Sequence, residues 1–187
     1  MATPARLVPL REQFEFCWDR LINRLDGMSD DEYFWEPAPG CWSIRRRDAT
    51  PTPHGLGGGA WVWEYVSRHP DPAPFTTIAW RIGHLASTIF LRADYTVGSK
   101  SLTWDDYAYP HTAEQGIAAL VDAGVAWFRV LRTADDALLD TVGGSSFPWG
   151  RDPDLPLLDI CWWVNQEALH HGGEIALLRD LYRARRV

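Results

Sequence analysis

The chain is short of paired cysteine, of positive charge and of long apolar runs, and each shortage closes off a class of protein. Three cysteines occur, Cys17, Cys41 and Cys161, widely spaced and without a C-x-x-C. That pattern argues against a disulfide framework and against an all-cysteine structural zinc site, and for free thiols in a reducing compartment. Lysine and arginine number 18 against 25 acids, a formal net charge of −7. Broad nucleic-acid binding needs a basic surface, so none is expected. No run approaches the roughly 18 apolar residues of a membrane-spanning helix. The start, Met1-Ala2-Thr3-Pro4-Ala5-Arg6, lacks the charged-then-apolar order of a signal peptide. The expectation is a cytoplasmic protein with neither a nucleic-acid nor a membrane partner.

What is present is aromatic mass. Among 187 residues there are eleven Trp, in a chain that is otherwise 46% hydrophobic and 23% charged. Trp is bulky and rarely left in water, so an aromatic-rich core or pocket is expected. The length favours one domain.

Apolar spacing places four long helices. Leu10, Phe14, Cys17, Leu21 and Leu25 form one stripe from about Val8 to Leu25. Ser29 with Glu32 three residues later opens a short turn. From Glu36 to Pro74, proline and glycine punctuate a long connection, with a short helical piece expected at Trp61 to Ser67. Connections of that length often form lids or binding loops, and this one reads equally as a flap over a site or a surface wrap held by its aromatics. Helix resumes over Thr76 to Thr96 with a wide apolar face that contains His84. A third helix runs from Thr112 to Thr133 and a fourth from Leu157 to about Arg183, with Arg179, Arg183, Arg185 and Arg186 at its C-terminal end, where they suit the helix dipole. The fold class expected is all-α, a four-helix bundle with a long loop between the first and second helices.

On the fourth helix, Leu157, Cys161, Val164, Ala168, His171, Ile175, Leu178 and Tyr182 alternate in steps of four and three. Such a seam faces a bundle core. His171 lies in it, and Glu167, one turn earlier, lies at its edge. His170 is rotated about 100° away, on a flank with Trp163, Gln166 and Glu174. A lone histidine on an apolar face is more often a satisfied core residue than a ligand. Burial of an unpaired carboxylate costs several kcal/mol, however, so Glu167 beside a core histidine needs a partner. A metal ion held by His84, Glu167 and His171 would satisfy all three. Two histidines and one carboxylate leave positions open for water or substrate. Spacing alone leaves the two readings open, because E-x-x-x-H on a helix is a common accident.

Three segments resemble the DinB-like family and its relatives, the mycothiol-dependent maleylpyruvate isomerases and the bacillithiol transferases. They are Thr77-Ile78-Ala79-Trp80-Arg81-Ile82-Gly83-His84-Leu85, the run from Trp163 to Arg179, and, more weakly, Trp35-Glu36-Pro37 with Pro39-Gly40-Cys41-Trp42-Ser43-Ile44. The resemblance implies a single domain over residues 1–187, a four-helix bundle, and a three-ligand metal site of His84, Glu167 and His171. Many members carry His-x-x-x-His on the last helix. Glu167 stands first here, which is similar to the mycothiol-dependent branch.

The function this implies is activation of a low-molecular-weight thiol of the mycothiol type by a divalent metal ion, zinc first, with nickel or iron as alternatives. The thiolate would attack a small-molecule electrophile, giving S-transfer or isomerisation. A non-catalytic stress-response binding protein and a hydrolase using bound water are the competing readings. Arg81, Arg45 and His54 are candidates for contacting substrate, with Arg45 belonging to the Arg45-Arg46-Arg47 run. His54 and His69 are candidate acid–base groups. His170, Trp80 and Trp163 are candidates for lining the pocket, and Trp162 joins them. A homodimer is compatible with the resemblance.

Overall fold

A computed structural model describes residues 3–51, 55–68, 70–146 and 152–185. The chain runs α1 (Val8–Arg24), α2 (Asp30–Tyr33), β1 (Ile44–Arg46), β2 (Gly55–Leu56), β3 (Trp61–Glu64), α3 (Ile78–Val97), α4 (Ala113–Thr133), α5 (Asp136–Leu139) and α6 (Leu157–Ala184). The four long helices fall where apolar spacing puts them. Thr77 and Thr112 cap α3 and α4, each hydroxyl accepting from the backbone N–H three residues on, Trp80 N at 3.1 Å and Gln115 N at 3.2 Å. Helix α3 packs on α4 and α6, and α1 packs on α6 and α4.

The fold is mostly helical but not purely so. The segment expected to be irregular, with a helical piece at Trp61 to Ser67, instead forms an antiparallel sheet in the order β1-β3-β2. Its register pairs Ile44 with Trp63, Arg45 with Val62 and Arg46 with Trp61 on one side, and Leu56 with Trp63 on the other. Trp61-Val62-Trp63 is the aromatic and β-branched composition that strands favour. The strands are short and lie between turn formers, so their period-two signal is brief. The glycines between β2 and β3 have a steric role: a Cβ on Gly58 would lie 1.9 Å from the Asp105 carbonyl oxygen.

Two details depart from the apolar pattern. On α1, Trp18 is buried while Leu10 and Cys17 are only partly so. On α6, Arg179 does not serve the helix terminus in solvent. Its side chain is fully buried and pairs with Glu32 of α2.

Candidate metal centre

Helices α3 and α6 pack together, and their contact brings one histidine from the first to a carboxylate and a histidine from the second. The local folding that places them starts at Thr77. Its hydroxyl also lies 2.9 Å from the Ser43 hydroxyl just before β1, so the start of α3 is tied to the sheet. Trp80, in the first helical turn, donates its indole N–H to the carbonyl of Glu64 at 2.8 Å, and its own carbonyl accepts from Trp63 Nε1 at 3.1 Å. One turn later comes His84, facing α6.

Both histidines direct Nε2 at the same oxygen. Glu167 Oε2 lies 3.1 Å from His84 Nε2 and 3.2 Å from His171 Nε2. The side chains are sheltered, at 20% exposure for His84, 15% for Glu167 and 9% for His171. The other nitrogen of His171, Nδ1, lies 2.6 Å from Glu174 Oε2. Glu174 in turn pairs with Arg81 Nε at 3.1 Å and with His170 Nε2 at 3.3 Å. Arg81 lies over the Trp80 ring, 4.9 Å from its centroid.

Electrostatics follow from this arrangement. Burial pushes the Glu167 carboxyl up, but hydrogen bonds from His171 and His84 outweigh it and hold the group down to about 2. Burial also lowers both imidazoles. At His84 it prevails over the Glu167 contact and favours the neutral ring. At His171 the hydrogen bonds to Glu167 and Glu174 prevail, and the ring holds its proton above the ordinary histidine value. Glu174 stays ionised: its burial is outweighed by His171 and by the nearby Arg81.

The donor set fits a divalent cation. One ligand atom from each of His84, Glu167 and His171 lies within 4.8 Å of the other two. Two imidazoles and a carboxylate suit zinc, nickel and iron(II) alike. With Nδ1–H of His171 given to Glu174, loss of the Nε2 proton would leave the tautomer that ligates metal. That is the carboxylate–histidine support common to such centres. His170, His171 and Glu174 form a second group of similar spacing. There Arg81, 3.1 Å from Glu174 Oε2, already places a cation beside the carboxylate.

The remaining candidates are distributed unevenly. Trp80 is buried and stacks on His84, with centroids 5.5 Å apart. Trp163 lies under the Arg92 guanidinium, 4.9 Å from its centroid, and Trp162 is 59% exposed. His170 is largely exposed; its ring stacks on His171 with centroids 4.8 Å apart, and its Nε2 lies 3.3 Å from Glu174 Oε1. Arg81 is at the group. Arg45 is instead engaged in the sheet, donating to Glu36 at 2.6 Å, to Glu64 at 3.2 Å and to the Cys41 carbonyl at 3.1 Å. His54 and His69 lie outside the described residues. Sequence reasoning assigned no role to Glu174 or Trp63. The signal for Glu174 was its place three residues after His171 and four after His170, one turn from both. For Trp63 it was the short strand pattern.

The model of the DinB superfamily matches residues 13–175. No curated protein matches the sequence. The match covers most of the chain and runs from α1 through the histidine pair of α6, and on that ground the chain belongs to the DinB superfamily.

Proposed function

We propose that the protein is a metal-dependent enzyme that activates a low-molecular-weight thiol of the mycothiol type for S-transfer or isomerisation of a small electrophile, on a four-helix-bundle frame. The observation that carries this reading is the convergence of His84 Nε2, His171 Nε2 and Glu167 Oε2, with His171 backed by Glu174 at 2.6 Å. A divalent cation held by these three would lower the pKa of a thiol or water at neutral pH. With both histidines neutral, Glu167, Glu174 and Arg81 sum to one negative charge. A divalent cation turns that into one positive charge, which suits a singly charged anion such as a thiolate. Arg81, with Trp80 at its face, would hold a carboxylate of the substrate or thiol.

The chain's own cysteines do not supply the thiol. Cys41 and Cys161 are buried, none of the three belongs to the group, and burial pushes the Cys161 thiol up to about 12. On this reading the thiol comes from outside the chain. Among the described residues no helix is long and apolar enough to cross a membrane. A cytoplasmic location, where such thiols are kept reduced, fits this reading, and so does a homodimer with the group intact in each copy.

Protein purified without chelator or metal-affinity tag should carry about one ion per chain, as a site of this donor set binds tightly near neutral pH. His84→Ala and His171→Ala should lose it. Supplied with metal, the wild type should consume electrophile only when thiol is present. Wild type that binds no metal, or variants that keep it, would overturn the assignment. Turnover without thiol would replace it with hydrolysis by bound water.

A further inference from the structure

His84 and His171 offer the same nitrogen to the group but are held in different ways. The remaining nitrogen of His171 is bound to Glu174. The remaining nitrogen of His84, Nδ1, is buried and has no hydrogen-bond partner among the described residues. A ligating histidine ordinarily gives that N–H to an acceptor, which fixes its tautomer and ring plane. At His84 aromatic packing stands in that place. Its ring lies 5.5 Å from the Trp63 ring at 20° and 5.5 Å from the Trp80 ring at 13°.

Those two indoles are cross-linked. Trp63 Nε1 donates to the Trp80 carbonyl, and Trp80 Nε1 donates to the carbonyl of Glu64, the residue after Trp63. Their rings are 4.7 Å apart. Trp63 is 2% exposed and stacks as well on Tyr65, Trp104 and Tyr109. Neither indole can turn without giving up a buried hydrogen bond. The wall against His84 is therefore rigid, and it is anchored in the sheet rather than in α3 alone.

We infer that Trp63 of β3, together with Trp80, is the positioning residue for His84. The two histidines are then held unequally at the nitrogen turned away from Glu167: His171 by a hydrogen bond to Glu174, His84 by stacking. This rests on the metal reading above, but the orientation of the ring can be tested without a metal.

Trp63→Leu removes the wall, and Trp63→Phe keeps an aromatic face while removing the indole N–H. Both are made in the wild type and in His84→Ala, and circular dichroism with thermal melts establishes that each is folded. Should Trp63→Leu fail to fold, Trp63→Phe carries the test with smaller effects. In the metal-free protein, the imidazole carbon–proton resonances of His84, assigned by their loss in His84→Ala, shift or broaden in the Trp63 variants, and those of His171 stay in place. With cobalt(II) as the probe, Trp63→Leu weakens binding by about tenfold and alters the visible absorption band. In the His84→Ala background it has no further effect. Equal weakening in both backgrounds, or unmoved His84 resonances, would overturn the proposal. Wild type that binds no cobalt(II) overturns the metal reading instead, and the resonance measurement still decides the positioning role.

Discussion

Arg179 and Glu32 meet in a two-point ion pair inside the protein, Nε to Oε1 at 2.6 Å and Nη2 to Oε2 at 3.0 Å, with side-chain exposures of 0% and 4%. The guanidinium also donates to the Arg24 and Asp26 carbonyls at the end of α1. One side chain of α6 thus satisfies a buried carboxylate on α2 and the last carbonyls of α1. Removing either partner leaves a buried charge uncompensated, at a cost of about 3–5 kcal/mol. Arg179→Met and Glu32→Leu should each lower the unfolding free energy by about that much in urea titrations. The double variant should lose less than the sum of the two. Additive losses would show that the pair is not coupled.

That pair also marks where sequence reasoning stops. The four long helices were legible because their faces repeat at helical spacing, and Ser29 with Glu32 announces the cap of the short α2. His84, Glu167 and His171 were legible because two of them share a helix face and polar residues on an apolar seam need a partner. Arg179 was read as a terminal cation because its partner lies 147 positions away, and no local pattern encodes that distance. The sheet was missed for a related reason. A two-residue strand such as Gly55–Leu56 has no period to detect. What defines it is the pairing with Trp61–Glu64.

Glu174 touches His171 and not the converging donor atoms, so its effect should appear in affinity more than in stoichiometry. Glu174→Gln keeps the shape and removes the charge. Metal affinity by chelator competition should fall by about 10–100-fold, as for other carboxylates that support a ligating histidine. Glu167→Gln, which alters a ligand, should fall further. Unchanged affinity in Glu174→Gln would mean that the 2.6 Å contact does not orient His171 for metal.

The cysteines give a test of the source of the thiol. With its thiol held up to about 12 by burial, Cys161 has almost no thiolate at pH near 8. Native protein should therefore titrate fewer than three thiols with an aromatic disulfide reagent, and all three after denaturation. The variant carrying Cys17→Ser, Cys41→Ser and Cys161→Ser should keep its thiol-dependent turnover wherever it stays folded. Loss of turnover in Cys161→Ser alone, with metal content unchanged, would move the nucleophile into the chain.

Two helical glycines should respond to the same substitution with opposite signs. Alanine is favoured over glycine in a helix by about 1 kcal/mol, so any position with room for a methyl group gains. Gly173 of α6 has room: among the described residues a Cβ there meets nothing within 4 Å. Gly124 of α4 has none, because a Cβ would fall 2.2 Å from Trp18 Nε1, and Trp18 is 3% exposed and stacked on Phe14. Forcing that indole aside costs about 1–3 kcal/mol, more than the propensity gain. Gly173→Ala should raise the melting temperature and Gly124→Ala should lower it, each by a few degrees on the scale of about 2–4 °C per kcal/mol for a domain of this size. The close approach of α1 to α4 predicts the second result and helix propensity alone predicts the reverse, so calorimetry on Gly124→Ala decides between packing and propensity at that contact.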